Sequence, residues 1–231
     1  MSNVNLRKHP KFEEIFISGP IEKAKIYTKN MTPGKRIYGE MLVDDNGEEF
    51  RLWNPYRSKL AAVIRQNPQI NFIKKDSRTL YLGAASGTTV SHLSDITHDG
   101  IIYAIEFAER SIRQLVQNTS DRYNVIPILG DARSPHEYAK SIFTGIDFVY
   151  QDVAQPNQAE IAIKNCNYYL KKGGLLFLAI KSQSIDSLSV PDKVYKSEKE
   201  ILEKAGYEII ESINIHRYAA NHLVLIVQKN H

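Results

Sequence analysis

Two charged residues, Asp152 and Lys181, each close an apolar strand-like run: Asp152 follows residues 148–151 and Lys181 follows residues 175–180. In an open α/β sheet, ligands bind in the crevice outside the carboxyl ends of the strands, so side chains at those two places can converge on one reacting group. A lysine there is a candidate base or hydroxyl-polarising group. Desolvation favours a neutral amine and a neighbouring carboxylate favours the ammonium, so the residues alone leave that balance open. The plainer reading makes Lys181 a strand-end lysine reaching for water and Asp152 a cap for the next helix. Their place at one rim favours chemistry. Lys59, in the first turn of a helix expected over 57–66, and His222, opening the last strand, read by themselves as a solvated lysine and a structural histidine.

A second group of residues suits a ligand rather than a reaction. The stretch Tyr81-Leu82-Gly83-Ala84-Ala85-Ser86-Gly87-Thr88-Thr89 joins a strand to a helix beginning near Thr88, with small residues where a backbone must approach a ligand closely. It departs from G-x-G-x-x-G, and alone it is equally well a tight turn. Glu106 ends the next strand 19 residues after Gly87, where a carboxylate can accept hydrogen bonds from two ribose hydroxyls. A nucleoside is the expected ligand. Asp131 ends the third strand and could accept from an adenine amino group, or else cap or salt-bridge its own loop. The chain has no Gly-Lys-Ser/Thr phosphate loop, Cys-x-x-Cys or His-Glu-x-x-His, so neither a nucleoside triphosphate nor a metal is expected.

The elements that must position these residues can be read from periodicity. Four short strands are expected over 14–18, 24–28, 39–43 and 49–53, the last two joined through Asn46-Gly47, a pair suited to a hairpin turn because both residues tolerate positive φ. From Pro55 the pattern alternates, with strands over 79–82, 101–105, 125–129, 148–151 and 175–180. Helix-start signals stand at Ser134-Pro135-His136-Glu137, at Asn157 with Glu160 and at Ser197 with Glu200. This predicts a small N-terminal antiparallel β domain, residues 1–54, and a mostly parallel, Rossmann-like α/β domain, residues 55–231. Two consecutive strand-like runs, 207–215 and 222–228, close the chain without a helix between them. A terminal hairpin of that kind separates the methyltransferase variant of the sheet from ordinary dinucleotide folds.

Composition sets wider bounds. With 231 residues, 42% of them apolar, the chain can bury a core. Cys166, the single cysteine, sits in an apolar-patterned stretch and reads as a buried, inert thiol in a reducing compartment. No charged leader precedes an apolar segment, and runs such as 175–180 fall far short of the roughly 20 residues a membrane span needs. The expectation is a soluble, cytoplasmic protein. The net charge of +4 permits contact with a polyanion without requiring it. Residues 1–58 carry 10 basic and 8 acidic side chains, leaving 20 and 18 for the rest, so neither part is a concentrated basic module.

Four blocks together are more specific than any of these patterns: Trp53-Asn54-Pro55-Tyr56-Arg57-Ser58-Lys59-Leu60, the run YLGAASGTTVSHL from Tyr81 to Leu93, Asp131-Ala132-Arg133, and Asp152-Val153-Ala154-Gln155-Pro156. Across nearly the whole chain they resemble the fibrillarin family, in its archaeal form because no glycine/arginine-rich tail is present. The resemblance implies a class I methyltransferase fold and S-adenosylmethionine held by Gly83, Ala84, Thr88, Thr89, Glu106, Phe107, Asp131, Ala132, Asp152, Val153, Ala154 and Gln155. It also implies that Lys59, Asp152 and Lys181 fill the first three roles of the Lys-Asp-Lys-Glu set of related 2′-O-methyltransferases. His222 stands roughly where the glutamate would, a departure that leaves its role open. The implied substrate is a ribose 2′-hydroxyl of rRNA or tRNA, chosen by a box C/D guide RNA held with a Nop-family scaffold protein and a kink-turn-binding ribosomal protein homologue.

Three rival readings share parts of this pattern. A small-molecule methyltransferase or a nicotinamide-dependent oxidoreductase would have the glycine loop and Glu106 but would not explain the Asp152 and Lys181 pair with the terminal hairpin. A non-catalytic subunit of an RNA particle could keep the fold, although the intact loop and Lys181 argue against it.

Overall fold

The structure is a computed structural model and describes residues 4–230; residues 1–3 and 231, the outer ends of the two expected domains, lie outside the described residues. The first sheet holds β1 (Arg7–Lys8), β2 (Ile15–Ser18), β3 (Lys25–Lys29), β4 (Leu42–Asp45) and β5 (Glu48–Trp53), antiparallel in the order β1-β2-β3-β5-β4. Asn46 at φ 55° and Gly47 at φ 82° close the β4–β5 turn, as the Asn-Gly pair predicts. The strand expected over 39–43 begins only at Leu42. The Glu40 carboxylate accepts backbone N–H groups from Ile37 (3.0 Å) and Tyr38 (2.9 Å), which folds that stretch into a loop before pairing can start.

After α1 (Lys59–Arg65), the chain alternates through β6 (Arg78–Leu82), α2 (Thr88–Ile96), β7 (Ile101–Glu106), α3 (Glu109–Thr119), β8 (Val125–Leu129) and β9 (Ile146–Gln151). It continues through α4 (Gln158–Tyr169), β10 (Leu170–Lys181), a single turn α5 (Ser182–Ile185), α6 (Pro191–Lys204), β11 (Tyr207–Asn214) and β12 (His222–Lys229). These seven strands form one sheet in the order β11-β12-β10-β9-β6-β7-β8, parallel from β10 to β8 with β11 and β12 as an antiparallel hairpin. The expected α/β sheet with its terminal hairpin is present.

Local start signals fared unevenly. Ser58 caps α1, accepting the Ala61 N–H at 3.4 Å. The Ser134-Pro135 signal yields only a 3-10 segment, Pro135–Ser141, and Asn157 precedes α4 without a side-chain cap bond. The Ser197 and Glu200 signal is a correction: α6 starts six residues earlier at Pro191, so Ser197 is an exposed residue inside the helix. Proline in the first turn lacks an N–H that would be unpaired there in any case, and Asp192 complements the helix dipole, so the true start had its own signal.

Side chains alternate across the sheet. Phe177 and Ala179 of β10 face a core shared with Ile15, Ile17, Ile26 and Trp53 of the first sheet and Leu60 and Val63 of α1. Leu176, Leu178 and Ile180 face the second core with Ile161 of α4 and Leu202 of α6. The N-terminal sheet therefore packs its apolar face into the same core as the α/β unit. Cys166 lies in the second core, where burial pushes its thiol up to about 12.

A buried polar cluster ties the two sheets together. Asp95 on α2 receives Arg51 of β5 at 2.8 Å on one oxygen and Arg122 at 2.6 Å on the other, while Arg51 also donates to Glu40 at 2.7 Å. All four side chains are essentially without solvent exposure. Thr28 donates to Asp95 (2.7 Å) and so must accept from Nδ1 of His92 (2.8 Å), which leaves Nε2 to accept the Tyr38 hydroxyl (2.8 Å). His92 also stacks on Trp53 at 4.9 Å. Burial, reinforced by Arg51 and Arg122, holds the ring well below the usual histidine range, so it stays neutral.

Candidate active site

The carboxyl ends of β6, β7, β9 and β10 bring the candidate residues to one rim. After β6 the chain turns through Gly83 (φ 81°), Ala85 (φ 50°) and Gly87 (φ 92°) into α2. A Cβ on Gly83 would stand 2.8 Å from the main-chain oxygen of Asp152, so only glycine allows the two strand ends to approach so closely. Glu106, buried at the end of β7, accepts the Ala85 N–H at 2.8 Å and the Ala108 N–H at 2.9 Å. Its carboxylate thereby sets the loop that covers it.

These strand ends enclose a cleft of about 350 Å³. Gly83, Glu106, Phe107, Ala132, Asp152, Val153, Ala154, Gln155 and Lys181 all line it, nine of the residues singled out from the sequence. The ring of Phe107 is 62% exposed at the cleft, available for stacking. Ala84 lies beneath the wall, its N–H bonded to the Ile105 carbonyl at 3.0 Å. Thr88 is absent from the lining, and Thr89 instead bonds Ser58 at 3.0 Å and lines a small adjoining cavity with Lys59 and Asp152. Asp131 also stands outside the lining: Arg133 donates to both of its oxygens, at 3.0 and 2.9 Å, and that bonding holds the carboxyl below its usual range. Its neighbours Gly130 and Ala132 form the wall. Ala85, Ile105 and Gly130 complete the lining; Ala85 lies within the glycine loop, and Ile105 and Gly130 adjoin Glu106 and Asp131, the only sequence signals that point to them.

At the mouth of the cleft one carboxylate is shared by two lysines. Nζ of Lys59 lies 2.7 Å from Oδ2 of Asp152, and Nζ of Lys181 lies 2.8 Å from Oδ1 while donating to the Asp152 main-chain oxygen at 3.0 Å. All three side chains are 17–20% exposed, open enough for a substrate and dry enough for their charges to matter. His222 pairs with Lys181 across the β10–β12 register. Its Nδ1 lies 2.7 Å from the Ala220 carbonyl, which requires a proton on that nitrogen and leaves Nε2 as an acceptor. Burial lowers its pKa below the usual histidine value, against the pull of Ala220.

The residues present fit a nucleoside carrying an amino acid. Glu106 offers a carboxylate to ribose hydroxyls, Phe107 a ring face to a base, and Gln155 a buried Oε1 that has no hydrogen-bond partner among the described residues. An orphaned acceptor in the wall calls for an N–H donor, which the methionyl ammonium of S-adenosylmethionine would supply. Among the described residues no group of three His, Cys, Asp or Glu is placed to hold a metal ion, and no helix is long and apolar enough to cross a membrane.

Comparison with known proteins agrees with this geometry. A family model described as Fibrillarin matches residues 6–231. The fibrillarin-like rRNA/tRNA 2′-O-methyltransferase of Methanocaldococcus jannaschii is 48% identical over 202 residues, 87% of either chain. The solved structure of Aeropyrum pernix fibrillarin in complex with natively bound S-adenosyl-L-methionine aligns with a TM-score of 0.88 at 42% identity, covering 97% of this chain and 98% of that one. A chain of a fibrillarin/Nop5p complex aligns with a TM-score of 0.79 at 38% identity, covering 89% and 94%. Matched from residue 6 to its last residue and nearly half identical to that methanogen relative, the chain belongs to the fibrillarin family.

Proposed function

We propose that this chain transfers a methyl group from S-adenosylmethionine to ribose 2′-hydroxyls of rRNA and tRNA, as the catalytic subunit of a box C/D ribonucleoprotein particle. The observation that carries the reading is the single carboxylate of Asp152, held between Lys59 and Lys181 at the mouth of a nucleoside-sized cleft. The fibrillarin relatives supply the substrate class, and the Nop5p complex supplies the kind of scaffold protein. In this reading residues 55–231 carry the chemistry, residues 1–54 form a supporting β unit, and the protein works in the cytoplasm of an archaeal-type cell.

When bound, the cofactor supplies an electrophilic methyl group on a sulfonium centre, whose loss leaves a neutral thioether. The protein's share is to hold the cofactor through Glu106, Phe107 and Gln155 and to set the ribose hydroxyl in line. Asp152 orients the hydroxyl and both lysines. Lys181 is the group that polarises the hydroxyl or takes its proton as the oxygen bonds to the methyl carbon, and Lys59 holds the Asp152 carboxylate in place. His222, neutral and with Nε2 free to accept, stands one strand away from Lys181 and can pass that proton toward solvent. Most of the acceleration comes from positioning.

A net charge of +4 spread over both parts of the chain gives little counterion-release energy, so free RNA should bind weakly and recruitment must come from a guide RNA, the scaffold and a kink-turn-binding protein. The test measures labelled-methyl transfer from S-adenosylmethionine to one target RNA by the protein alone, with guide RNA, and with guide plus both partners. Site-specific transfer only in the full assembly is expected. Transfer by the protein alone would overturn the guided part of the reading, and no transfer in the full assembly would overturn the enzymatic part.

A further inference from the structure

Lys181 is held at two places, and one of them has no part in the steps above. Its Nζ bonds Asp152, and its backbone N–H donates to Oε1 of Gln158 at 2.9 Å. The other end of the Gln158 amide reaches the cofactor side of the cleft, where Nε2 donates to the Gln155 carbonyl at 3.0 Å. Those two partners fix which way the amide points, because a carbonyl can only accept and an N–H can only donate. Gln158 has no solvent exposure, so its amide has no water to turn to if either partner moves.

The strand ladder explains why a side chain is needed here. β9 pairs with β10 only as far as Gln151 opposite Leu178, so Lys181, further along β10, has no β9 residue beside it. Gln158 supplies the acceptor that the ended strand does not. Its own place is fixed in turn. The buried Gln151 side chain donates to the Gln158 carbonyl at 2.7 Å, and Glu198 of α6 accepts the next N–H, that of Ala159, at 2.7 Å. Gln151, Asp152, Lys181 and Gln158 therefore close a ring through one peptide bond, one ion pair and two hydrogen bonds, with Gln155 tied to it.

Gln155 and Lys181 both line the cleft, and Gln158 is bonded to both. We propose that Gln158 is a positioning residue for methyl transfer, a buried amide clamp that sets the Lys181 backbone, and with it the side chain, at a fixed offset from the cofactor wall at Gln155. The inference rests on the methyl-transfer reading above. Asp152 holds the lysine's side-chain nitrogen but not the strand that carries it; that hold falls to Gln158 on one side and to the pairing with His222 of β12 on the other. In-line transfer tolerates little displacement, and a misplacement of about 1 Å that starts away from the reacting atoms can cost about 100-fold in rate.

The experiment uses the full chain assembled with guide RNA, scaffold and kink-turn-binding protein, at saturating cofactor and target RNA. Gln158→Met keeps the length of the side chain and removes both of its bonds. Single-turnover methylation should fall about tenfold or more, while S-adenosylmethionine affinity, read by calorimetry, changes less than about threefold because Glu106 and Phe107 are untouched. Beside Lys181→Ala, which keeps the backbone N–H, the same substitution should cost less than about twofold, since the side chain it places is gone. An equal loss with and without Lys181, or no loss at saturating cofactor, would overturn the proposal while wild-type methylation left the catalytic reading intact. Exchange of the Lys181 N–H with solvent, followed by NMR on the wild-type chain, should be slow; exchange at the rate of an unbonded amide would overturn the proposal as well. If Gln158→Met does not fold, Gln158→Glu takes its place, because an ionised carboxylate cannot donate to Gln155, and the same comparison with Lys181→Ala decides. Failure of the wild-type assembly to methylate would instead sink the catalytic reading, and this proposal with it.

Discussion

Lys59, at the start of α1, and Asp152, after β9, are 93 residues apart in the chain and 2.7 Å apart in space. Lys181 holds the other oxygen of the same carboxylate, so removing one lysine leaves Asp152 anchored by the second. Lys181→Ala should lower single-turnover methylation at least about 100-fold and Lys59→Ala about tenfold, both with cofactor affinity kept. Equal losses in the two variants would show that Lys181 has no separate part in moving the proton.

Glu106 is the strongest candidate for cofactor recognition because its carboxylate both organises the loop at Ala85 and faces the cleft. Glu106→Ala should weaken S-adenosylmethionine binding by about 1.5–3 kcal/mol, measured by titration calorimetry on a variant whose melting curve shows it folded. Unchanged affinity would take Glu106 out of the site.

Gly83 and Gly47 have almost the same backbone conformation, φ 81° and 82°, but different surroundings. A Cβ at Gly47 meets nothing within 4 Å, whereas one at Gly83 meets the Asp152 main chain. Gly47→Ala should therefore cost about 1 kcal/mol of stability from backbone strain and leave cofactor binding alone. Gly83→Ala should lose comparable stability and, in addition, most cofactor affinity, because it pushes Asp152 away from the loop. Chemical denaturation paired with calorimetry separates the two outcomes.

Asp95 is the only carboxylate that holds both Arg51 and Arg122 in the buried cluster described above. Asp95→Ala would leave two guanidinium groups short of a counter-charge away from water, and a loss of about 3–5 kcal/mol in urea unfolding is expected. A loss under 1 kcal/mol would mean that water enters the cluster.

Stability should also fall in mild acid. His92 has a folded-state pKa well below its ordinary 6.5, so as pH drops through that value the unfolded chain takes up a proton that the folded one refuses. More protons on the unfolded state means that stability is full above about pH 6.5 and declines below it. His9 and His222, also lowered chiefly by burial, act in the same direction. Melting temperatures between pH 7.5 and 5.5 should fall, and His92→Gln should flatten most of that slope. An unchanged slope in the variant would exclude His92 as the main source.

How much of this could be read in advance follows from the range of each interaction. Parallel strands all point the same way, so a pattern that locates their carboxyl ends also places Glu106, Asp152 and Lys181 on one rim without further information. The glycine loop after β6 was legible for the same reason, since small residues at a strand-to-helix turn mark a close approach wherever it occurs. Periodicity says which face of an element is apolar; it does not say which other face will cover it. The pairing of Lys59 with Asp152 and the burial of Arg51, Asp95, Arg122 and Glu40 in one cluster depend on how the first sheet and α1 pack against the second. A charged side chain looks alike in the sequence whether it meets water or a partner. The packing of distant elements decides which, because only that packing removes the water and brings the opposite charge within reach.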